Sequence, residues 1–265
     1  MEQKSKKKKL GLALGAGAFR GFCHIGVIEA LKEHNIEIDM ISGCSMGAII
    51  GGCVAAGISI EQVKEMVLSI KRRRKIMEFN LFTPKKGAVS GKRISAILKE
   101  TLGDISIEDA KIPFAATAVD FKKGELITFN SGVMRDILRA SMSIPGLFRP
   151  VSVGKYEVLV DGCVLESVPV DATLSLGADV VVAVDALGPP KDIGKMRGLL
   201  STLKRTFVLA CWEKDKIKMQ KADIIITPEM KGVSLFGLKH RKQSIKEGYD
   251  STIEKIPQIL ELLRN

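Results

Sequence analysis

Apolar residues in the N-terminal part of the chain follow a pattern that predicts alternating strands and helices. A short apolar run at 10–14 predicts a strand that ends in a glycine-rich turn. Apolar residues at helical spacing then indicate an amphipathic helix over 20–34, and a second strand is expected at 38–41 with a sharp end at Ser42. Small residues over 46–56 indicate a helix that can pack closely against a sheet. This order of elements is typical of a parallel sheet.

The alternation continues to the end of the chain. Ser59 and Gln62 form a capping box that predicts a helix reaching about residue 75. Ser131 is expected to cap another helix, which ends near residue 143. The other predicted elements are hairpin strands at 112–119 and 125–129, strands at 156–160, 180–184 and 224–226, helices at 91–102, 169–176 and 197–220, and two helices at the C-terminus.

No long linker divides the 265 residues, so we expect a single domain over 10–265 behind a basic tail at 1–9. The segments that carry motifs fall within 12–175, and the C-terminal strand and helices are expected to complete the fold. The strand at 180–184 is continuously apolar, which indicates burial on both faces. The expected fold class is therefore α/β, a three-layer sandwich with a mostly parallel central sheet.

Composition excludes several classes of protein. Hydrophobic residues make up 46% and charged residues 27%, a globular balance that excludes disordered and collagen-like chains. Aromatic residues make up only 5%, which argues against a stacking platform for single-stranded nucleic acid, and we expect no nucleic-acid partner. The five cysteines form no C-x-x-C pair, so we expect neither a disulfide framework nor a metal site. Free cysteines are typical of a reducing compartment, and we therefore predict that the protein is located in the cytoplasm.

The sequence predicts neither export nor a membrane-spanning segment. No apolar window approaches the length of a transmembrane helix. The lysine-rich start imitates a signal peptide, but the apolar run that follows is too short for one. We therefore expect a cytoplasmic protein that can contact a bilayer peripherally.

The net charge of +11, from 41 basic and 30 acidic residues, has two interpretations. Charge clusters are usually solvated faces; the alternative is adsorption to an anionic membrane. The apolar loop at 79–82 is interpreted either as a lid or as core. An apolar stripe in the long helix at 197–220 is interpreted as core; its members are Leu200, Leu203, Phe207 and Cys211. The basic clusters lie at 6–9, 71–75, 85–86, 122–123 and 239–242.

The sharpest candidate for chemistry is the G-x-S-x-G pattern from Gly43 to Gly47, between a predicted strand and a predicted helix. In a nucleophile elbow, Ser45 sits in a tight turn, and the flanking glycines remove Cβ atoms that would clash. The helix that follows directs its N-terminal dipole towards developing negative charge. A small-residue packing turn gives the same five-residue pattern, so the strand–turn–helix context is what favours a nucleophile.

A glycine-rich turn running from Gly15 to Gly21 also follows a strand and opens a helix. Its backbone N–H groups can hold a phosphate or an oxyanion. A dinucleotide site is one interpretation. Such a site requires G-x-G-x-x-G and an acidic residue about 20 residues further on. Here the spacing is G-x-G-x-x-x-G, and Asp39 follows soon after the turn. The other is an oxyanion hole for Ser45, because the carboxyl ends of neighbouring parallel strands meet at one edge of the sheet.

A serine nucleophile needs a base, and none of the three histidines follows a strand. His24 and His34 fall in the first helix and His240 in a basic stretch, so each is interpreted as a surface or packing residue. Asp161 ends a predicted strand at an Asp-Gly turn and is the better candidate. Partial burial would raise its pKa and make it a stronger base.

Taken together, these segments resemble the patatin-like phospholipase family, most closely its small bacterial members. The similarity covers most of residues 10–250, and the order of several motifs makes it more specific than any one of them. The matching segments are Leu12 to Val27, Gly43 to Gly47, Ala140 to Phe148 (Ala-Ser-x-x-x-Pro), Asp161-Gly162, Gly177 to Asp185, and Ala222 to Pro228.

The resemblance implies a serine acyl hydrolase with a Ser–Asp dyad, without histidine and without a metal or other cofactor. Ser45 is then the nucleophile, Asp161 takes its proton and later activates water, and the implied substrates are phospholipids and related acyl esters. Arg20 would brace the glycine-rich loop. The residues implied to form the oxyanion hole are Gly15, Gly17, Ala18, Phe19, Arg20 and Gly21.

The sequence departs from the family pattern in two places. Ala16 and Ala18 stand where the family usually has glycine, and a non-glycine residue held at positive φ costs about 1–2 kcal/mol. Cys163 replaces the small residue that follows Asp161-Gly162. Neither change removes a catalytic group.

Three functions therefore stand as alternatives. The first is a lipid acyl hydrolase, the second a non-catalytic regulatory protein that retains the fold, and the third a nucleotide-binding protein that uses the glycine-rich turn. Acyl-chain length, head-group preference and oligomeric state do not follow from the sequence.

Overall fold

The computed structural model describes residues 7–70, 90–192 and 198–264 and contains one eight-stranded sheet. The strands run in the order β5-β6-β3-β2-β1-β7-β8, and β4 pairs with β3. Neighbouring strands in the run β3-β2-β1-β7-β8 are parallel. Strands β4, β5 and β6 pair antiparallel with their neighbours and extend the sheet beyond β3. The strands are β1 (Leu10–Leu14), β2 (Met40–Cys44), β3 (Phe114–Asp120), β4 (Glu125–Phe129), β5 (Val151–Val153), β6 (Tyr156–Asp161), β7 (Val180–Val184) and β8 (Ile224–Ile226).

Helices cover both faces of the sheet, which confirms the three-layer α/β architecture. Alternate residues of β1 enter different cores: Leu12 packs in the larger one and Ala13 in the smaller one. The larger core includes residues of α1, α2 and α8; α6 and α7 cover the other face. The helices are α1 (Cys23–Glu33), α2 (Met46–Ala55), α3 (Ile60–Ser69), α4 (Lys92–Leu102), α5 (Met134–Ser141), α6 (Val170–Ser175), α7 (Gly198–Met219), α8 (Arg241–Ile253) and α9 (Ile256–Arg264).

Several predicted boundaries were wrong for local reasons. Strand β2 continues through Ser42 to Cys44, because its ladder with β1 and β3 persists across the small residues. Helix α5 begins at Met134, and Val133, rather than Ser131, is its N-cap. The predicted first helix opens with a separate 3₁₀ turn at Ala18–Phe22 before α1 starts. The short edge strand β5 was not predicted.

The apolar stripe predicted for the long helix is only partly described, and it is not simply core. Leu203 is 56% exposed and Cys211 is half-buried, whereas nothing is stated of the Leu200 and Phe207 side chains. The basic clusters at 71–75 and 85–86 and the apolar loop at 79–82 lie outside the described residues, as does Lys6 of the N-terminal cluster. Within the described part of the chain, none of the helices has the length and apolarity needed to cross a membrane.

Candidate active site

Ser45 occupies a sharp turn between β2 and α2. Its φ and ψ are 56° and −119°, a conformation that L-residues rarely adopt, and its side chain is almost fully buried. A Cβ on Gly47 would lie 2.1 Å from the Leu14 carbonyl oxygen, and one on Gly43 would lie 2.4 Å from Ala48 Cα. Both positions therefore require glycine for close approach of the backbones. The predicted strand–turn–helix context of the pattern is confirmed.

Asp161 is the last residue of β6 and is completely buried. Its Oδ1 accepts a hydrogen bond from the Cys163 backbone N–H at 2.9 Å and one from Cys44 Sγ at 3.6 Å. Its Oδ2 accepts none from any group in the described ranges. Burial raises the pKa of Asp161, while the hydrogen bond from the Cys163 N–H and the nearby Ser45 hydroxyl partly oppose that rise. A buried carboxylate with a raised pKa and a free oxygen can accept a proton.

The elbow and the Asp-Gly turn lie against each other. A Cβ on Gly162 would stand 3.0 Å from Cys44 Sγ, which shows how closely the residues next to Ser45 and Asp161 approach. The Ser45 hydroxyl is near enough to affect the pKa of Asp161 but does not reach its carboxylate with standard hydrogen-bond geometry. Such contacts are commonly long in the absence of substrate.

The glycine-rich loop carries two backbone amides that are candidate donors for an oxyanion. The N–H groups of Gly17 and Ala18 donate to no other group within the described residues. Ala18, Ser45 and Met46 line the same cavity, and a Cβ on Gly21 would come within 2.7 Å of Met46 Cβ. The loop therefore meets the elbow at one cavity through Ala18, whose N–H is a candidate donor for an oxyanion, and Gly17 immediately precedes it in the chain.

Three of the four other amides predicted for the oxyanion hole are engaged elsewhere. Gly15 N–H donates to Val184 O, Phe19 N–H to Leu235 O, and Arg20 N–H to Gly17 O. In this structure Phe19 is therefore not a donor for the hole, contrary to the sequence expectation. These bonds fix the two ends of the loop and leave its centre open.

The two alanines of this loop differ in backbone conformation. Ala18 has φ 45°, in the left-handed region that favours glycine, whereas Ala16 is not among the positive-φ residues. The strain expected from the missing glycines is therefore present at Ala18 alone.

Arg20 and His24 hold the loop in place. Arg20 Nε donates to Val233 O at 2.8 Å, so its guanidinium ties the loop to the segment before α8. His24 is fully buried, and its Nε2 lies 2.7 Å from the Gly15 carbonyl oxygen. Burial lowers the pKa of His24 to about 4, so the ring is neutral at pH 7 and Nε2 is the donor. His24 therefore packs and braces, as its helical position predicted.

The cavity beside Ser45 is strongly apolar and has a volume of about 450 Å³. Ser45 lies in its wall, where an acyl chain inside the cavity could present its carbonyl carbon. The apolar side chains of its lining come from the 3₁₀ turn, α2, α3, α4 and the segment after α5, and include Phe22, Ile49, Val67, Leu98, Met142 and Phe148.

Sequence reasoning missed the residues that support the two candidate catalytic groups. Ser141 Oγ accepts a hydrogen bond from the Ser45 backbone N–H at 2.9 Å, and the Cys44 thiol donates to Asp161. Ser141 belongs to the Ala-Ser-x-x-x-Pro segment, which the sequence matches to the family but to whose serine it assigns no function. Burial raises the pKa values of Cys44 and Cys163 well above the ordinary thiol value, so both thiols are protonated.

Comparison with known proteins identifies the family. A family model described as patatin-like phospholipase matches residues 12–174, more than half of the chain. The chain therefore belongs to the patatin-like phospholipase family, as its motifs indicated.

Individual relatives agree with this assignment. An uncharacterized NTE family protein of Mycobacterium tuberculosis is 33% identical over 192 residues, which are 71% of this chain and 53% of that protein. Lysophospholipase nte1 of Neurospora crassa is 33% identical over 181 residues, or 67% of this chain and 12% of that protein. The chain thus spans about half the length of the mycobacterial relative and a small part of the fungal one.

Among solved structures, VipD from Legionella pneumophila has a similar fold, with a TM-score of 0.58 over 97% of this chain and 67% of that chain. The two sequences are 14% identical, so the likeness concerns the fold alone.

Proposed function

We propose that this protein is a serine lipid acyl hydrolase that uses Ser45 and Asp161 as a catalytic dyad. The observation that carries the proposal is the shared cavity: the elbow serine and Ala18, whose amide is free within the described residues, line one apolar pocket, and the buried carboxylate of Asp161 lies at the adjoining Asp-Gly turn. The loop amides of Gly15 and Ala16 are bonded to Val184 O and Ser167 O, which leaves the loop suited to a single oxyanion more than to a diphosphate.

In the first half of the reaction, Ser45 Oγ attacks the ester carbonyl carbon while its proton passes to Asp161. The carbonyl oxygen becomes an oxyanion that the N–H groups of Gly17 and Ala18 stabilise, and α2, which starts at Met46, adds its N-terminal dipole. Each such donor contributes about 2.7–4 kcal/mol to transition-state stabilisation. The intermediate collapses, the alcohol leaves with the proton from Asp161, and the acyl group stays on Ser45.

In the second half, Asp161 removes a proton from water, and the hydroxide attacks the acyl carbonyl carbon. The same amides hold the second oxyanion. When the intermediate collapses, the carboxylic acid leaves, and Ser45 Oγ regains the proton from Asp161.

The proposed substrates are phospholipid or lysophospholipid acyl esters. The apolar lining suits an aliphatic chain and offers little for a polar head group, so the head group should remain at the cavity mouth. The name of the fungal relative supports an ester of this class.

We also propose that the protein works in the cytoplasm at the surface of an anionic membrane. All five cysteines are free, which suits a reducing compartment. Helix α7 follows β7 and therefore starts at the sheet edge that carries Ser45. Its 22 residues span about 33 Å, twice the length of β7, and its most exposed leucines lie in the N-terminal half.

That half of α7 has the chemistry of a lipid-facing helix. Leu199 is 73% exposed and Leu203 is 56% exposed. Residues 198–212 contain one lysine and one arginine and no acidic residue. Apolar side chains flanked by cations match an anionic bilayer, whose lipids would then be presented next to the cavity.

The direct test is labelling with a fluorophosphonate probe, together with hydrolysis of a lipid panel. We expect the wild type to be labelled and to release fatty acid, and Ser45→Ala to lose both, with turnover reduced by at least about three orders of magnitude. Ser42→Ala supplies a control for labelling at a second buried serine. A wild type that is neither labelled nor active on any acyl ester would refute the hydrolase and leave the non-catalytic regulatory protein.

Asp161→Asn tests the proposed base. It keeps the shape of the side chain and an oxygen for the Cys163 N–H, but cannot take a proton. We expect turnover of p-nitrophenyl esters to fall by orders of magnitude while circular dichroism shows a folded protein. Turnover near that of the wild type would mean that another group is the base.

A further inference from the structure

The turn that ends α5 touches both members of the proposed dyad. Ser141 accepts the Ser45 backbone N–H through its side-chain oxygen at 2.9 Å. Two residues later, the Ser143 carbonyl oxygen accepts the Asp161 backbone N–H at 3.0 Å. One short segment thus holds the backbones of two residues that lie at the ends of different strands of the sheet.

The residues between these contacts face the cavity. Met142 and Ile144 line the apolar pocket, whereas Ser141 and Ser143 are completely buried and do not line it. Ser141 and Ser143 therefore hydrogen-bond to the dyad residues, whereas Met142 and Ile144, which alternate with them along the chain, form part of the pocket wall.

A buried arginine holds this turn in shape. Arg139 Nη1 donates to Ser143 Oγ at 2.7 Å, and Nη2 donates to Arg149 O at 3.2 Å. The Ser143 hydroxyl in turn donates to Arg139 O at 2.9 Å, and the guanidinium lies over the Phe148 ring. Burial lowers the pKa of Arg139 to about 10, so it stays charged at pH 7 and its hydrogen bonds are charge-assisted.

The strained backbone of Ser45 explains why a hydrogen bond that fixes its position is needed. A residue at φ 56° relaxes unless its surroundings fix it. The Ser45 N–H is buried, and Ser141 is the partner that satisfies it. Without that acceptor, the turn is free to relax, and Ser45 Oγ moves relative to Asp161 and to the amides of the loop.

We propose that Ser141 is a positioning residue, which fixes the nucleophile through its backbone and, with the Ser143 carbonyl, sets the spacing of Ser45 and Asp161. The inference rests on the proposed hydrolase function. It assigns no contact between Ser141 and substrate.

The test compares Ser141→Ala with Ser42→Ala. Ser42 is also a fully buried serine of the same region, in β2, but its hydroxyl bonds Pro169 O and touches neither member of the dyad. We expect Ser141→Ala to lower kcat by about one to two orders of magnitude with KM unchanged, because its hydroxyl does not line the cavity. The limiting rate of fluorophosphonate labelling should fall in parallel. Ser42→Ala should keep both rates within about twofold of the wild type.

Other results would overturn the inference. It is wrong if Ser141→Ala keeps the kcat and labelling rate of the wild type, if it raises KM alone, or if Ser42→Ala loses as much. If Ser141→Ala fails to fold, Ser141→Cys, which offers only a weak acceptor, is measured instead and should show the same loss of kcat. An unlabelled, inactive wild type would refute the hydrolase function itself, whereas a labelled wild type with an unaffected Ser141 variant refutes only the positioning role.

Discussion

Backbone strain in the site is concentrated at Ala18 and Ser45, which hold positive φ angles beside one cavity. At Ser45 the conformation presents the hydroxyl at the edge of the sheet. Ala18 lines the same cavity, and its amide has no hydrogen-bond partner within the described residues. Strain at functional residues of this kind persists only when neighbouring contacts fix it, and here the packing of the glycines and the Ser141 hydrogen bond do so.

Ala18→Gly should stabilise the protein. Removing the Cβ relieves about 1–2 kcal/mol of left-handed strain, and the greater freedom of glycine in the unfolded chain returns about 0.5–1 kcal/mol. We expect the free energy of unfolding to rise by up to about 1 kcal/mol in urea titrations. Ala16→Gly is the matched control and should lower it, because Ala16 has no positive φ and its methyl group is buried. A lower stability of Ala18→Gly would contradict the strain.

The proposed hydrolase activity should be lost in acid as Asp161, the proposed base, takes up a proton. Burial raises the pKa of Asp161, so the ionised base is present above the raised value and disappears as pH falls through it. We expect kcat/KM for a water-soluble ester to show an inflection above the ordinary aspartate pKa of 3.8. Circular dichroism at each pH separates this loss from acid unfolding.

His24 is the control for that profile, because burial lowers its pKa to about 4 and it also titrates in acid. In His24→Gln, whose amide can still donate to Gly15 O, the inflection should stay in place. An inflection that vanishes in this variant, or one at or below 3.8, would assign the loss to another group.

At the scale of elements, the sequence was sufficient where local signals were strong. The strands at Leu10–Leu14, Val180–Val184 and Ile224–Ile226 have the boundaries that their apolar runs predicted. The capping box of Ser59 and Gln62 is present at the start of α3. Such elements depend on periodicity and capping, which neighbouring residues encode by themselves.

Elements whose ends depend on tertiary contacts were misplaced. Ser42 looks like a strand breaker, yet it stays in β2 because ladders on both sides hold it. Ser131 looks like a helix cap, but the isolated bridge between Ser106 and Val133 draws the preceding chain into extended structure, so that α5 starts later. Strand β5 has three residues and exists by pairing with β6. No local pattern carries that information.

At the scale of the whole molecule, the long helix α7 departs most from its sequence interpretation. Its C-terminal half packs on the sheet through Met219, and Asp215 accepts the Ser167 backbone N–H, whereas Leu199 and Leu203 remain exposed. An apolar stripe indicates that something covers it but not what. The tertiary structure leaves Leu203 of this stripe, and Leu199 outside it, exposed.

Replacing these leucines should weaken membrane binding. Each buried leucine contributes about 1.5–3 kcal/mol, so Leu199→Asp combined with Leu203→Asp should lower affinity for anionic phosphatidylglycerol vesicles by at least about tenfold in sedimentation assays. Ile217→Asp is the matched control, since Ile217 is 67% exposed at the opposite end of the same helix. Equal binding by the double variant, or an equal loss in Ile217→Asp, would contradict a lipid-facing role.

The sequence by itself determined the fold class, the family and the identity of Ser45 and Asp161 as candidates. These follow from periodicity and from short motifs, in which glycines permit close backbone approach and the order of segments is distinctive. Tertiary structure decided which loop amides are free, since the partners of Gly15 and Phe19 are Val184 and Leu235, far along the chain. It likewise decided that Ser141 accepts a hydrogen bond from the Ser45 backbone N–H and that Leu199 and Leu203 of α7 are exposed. Hydrogen-bond partners and burial depend on residues distant in sequence, and they exist only once the sheet has brought those residues together.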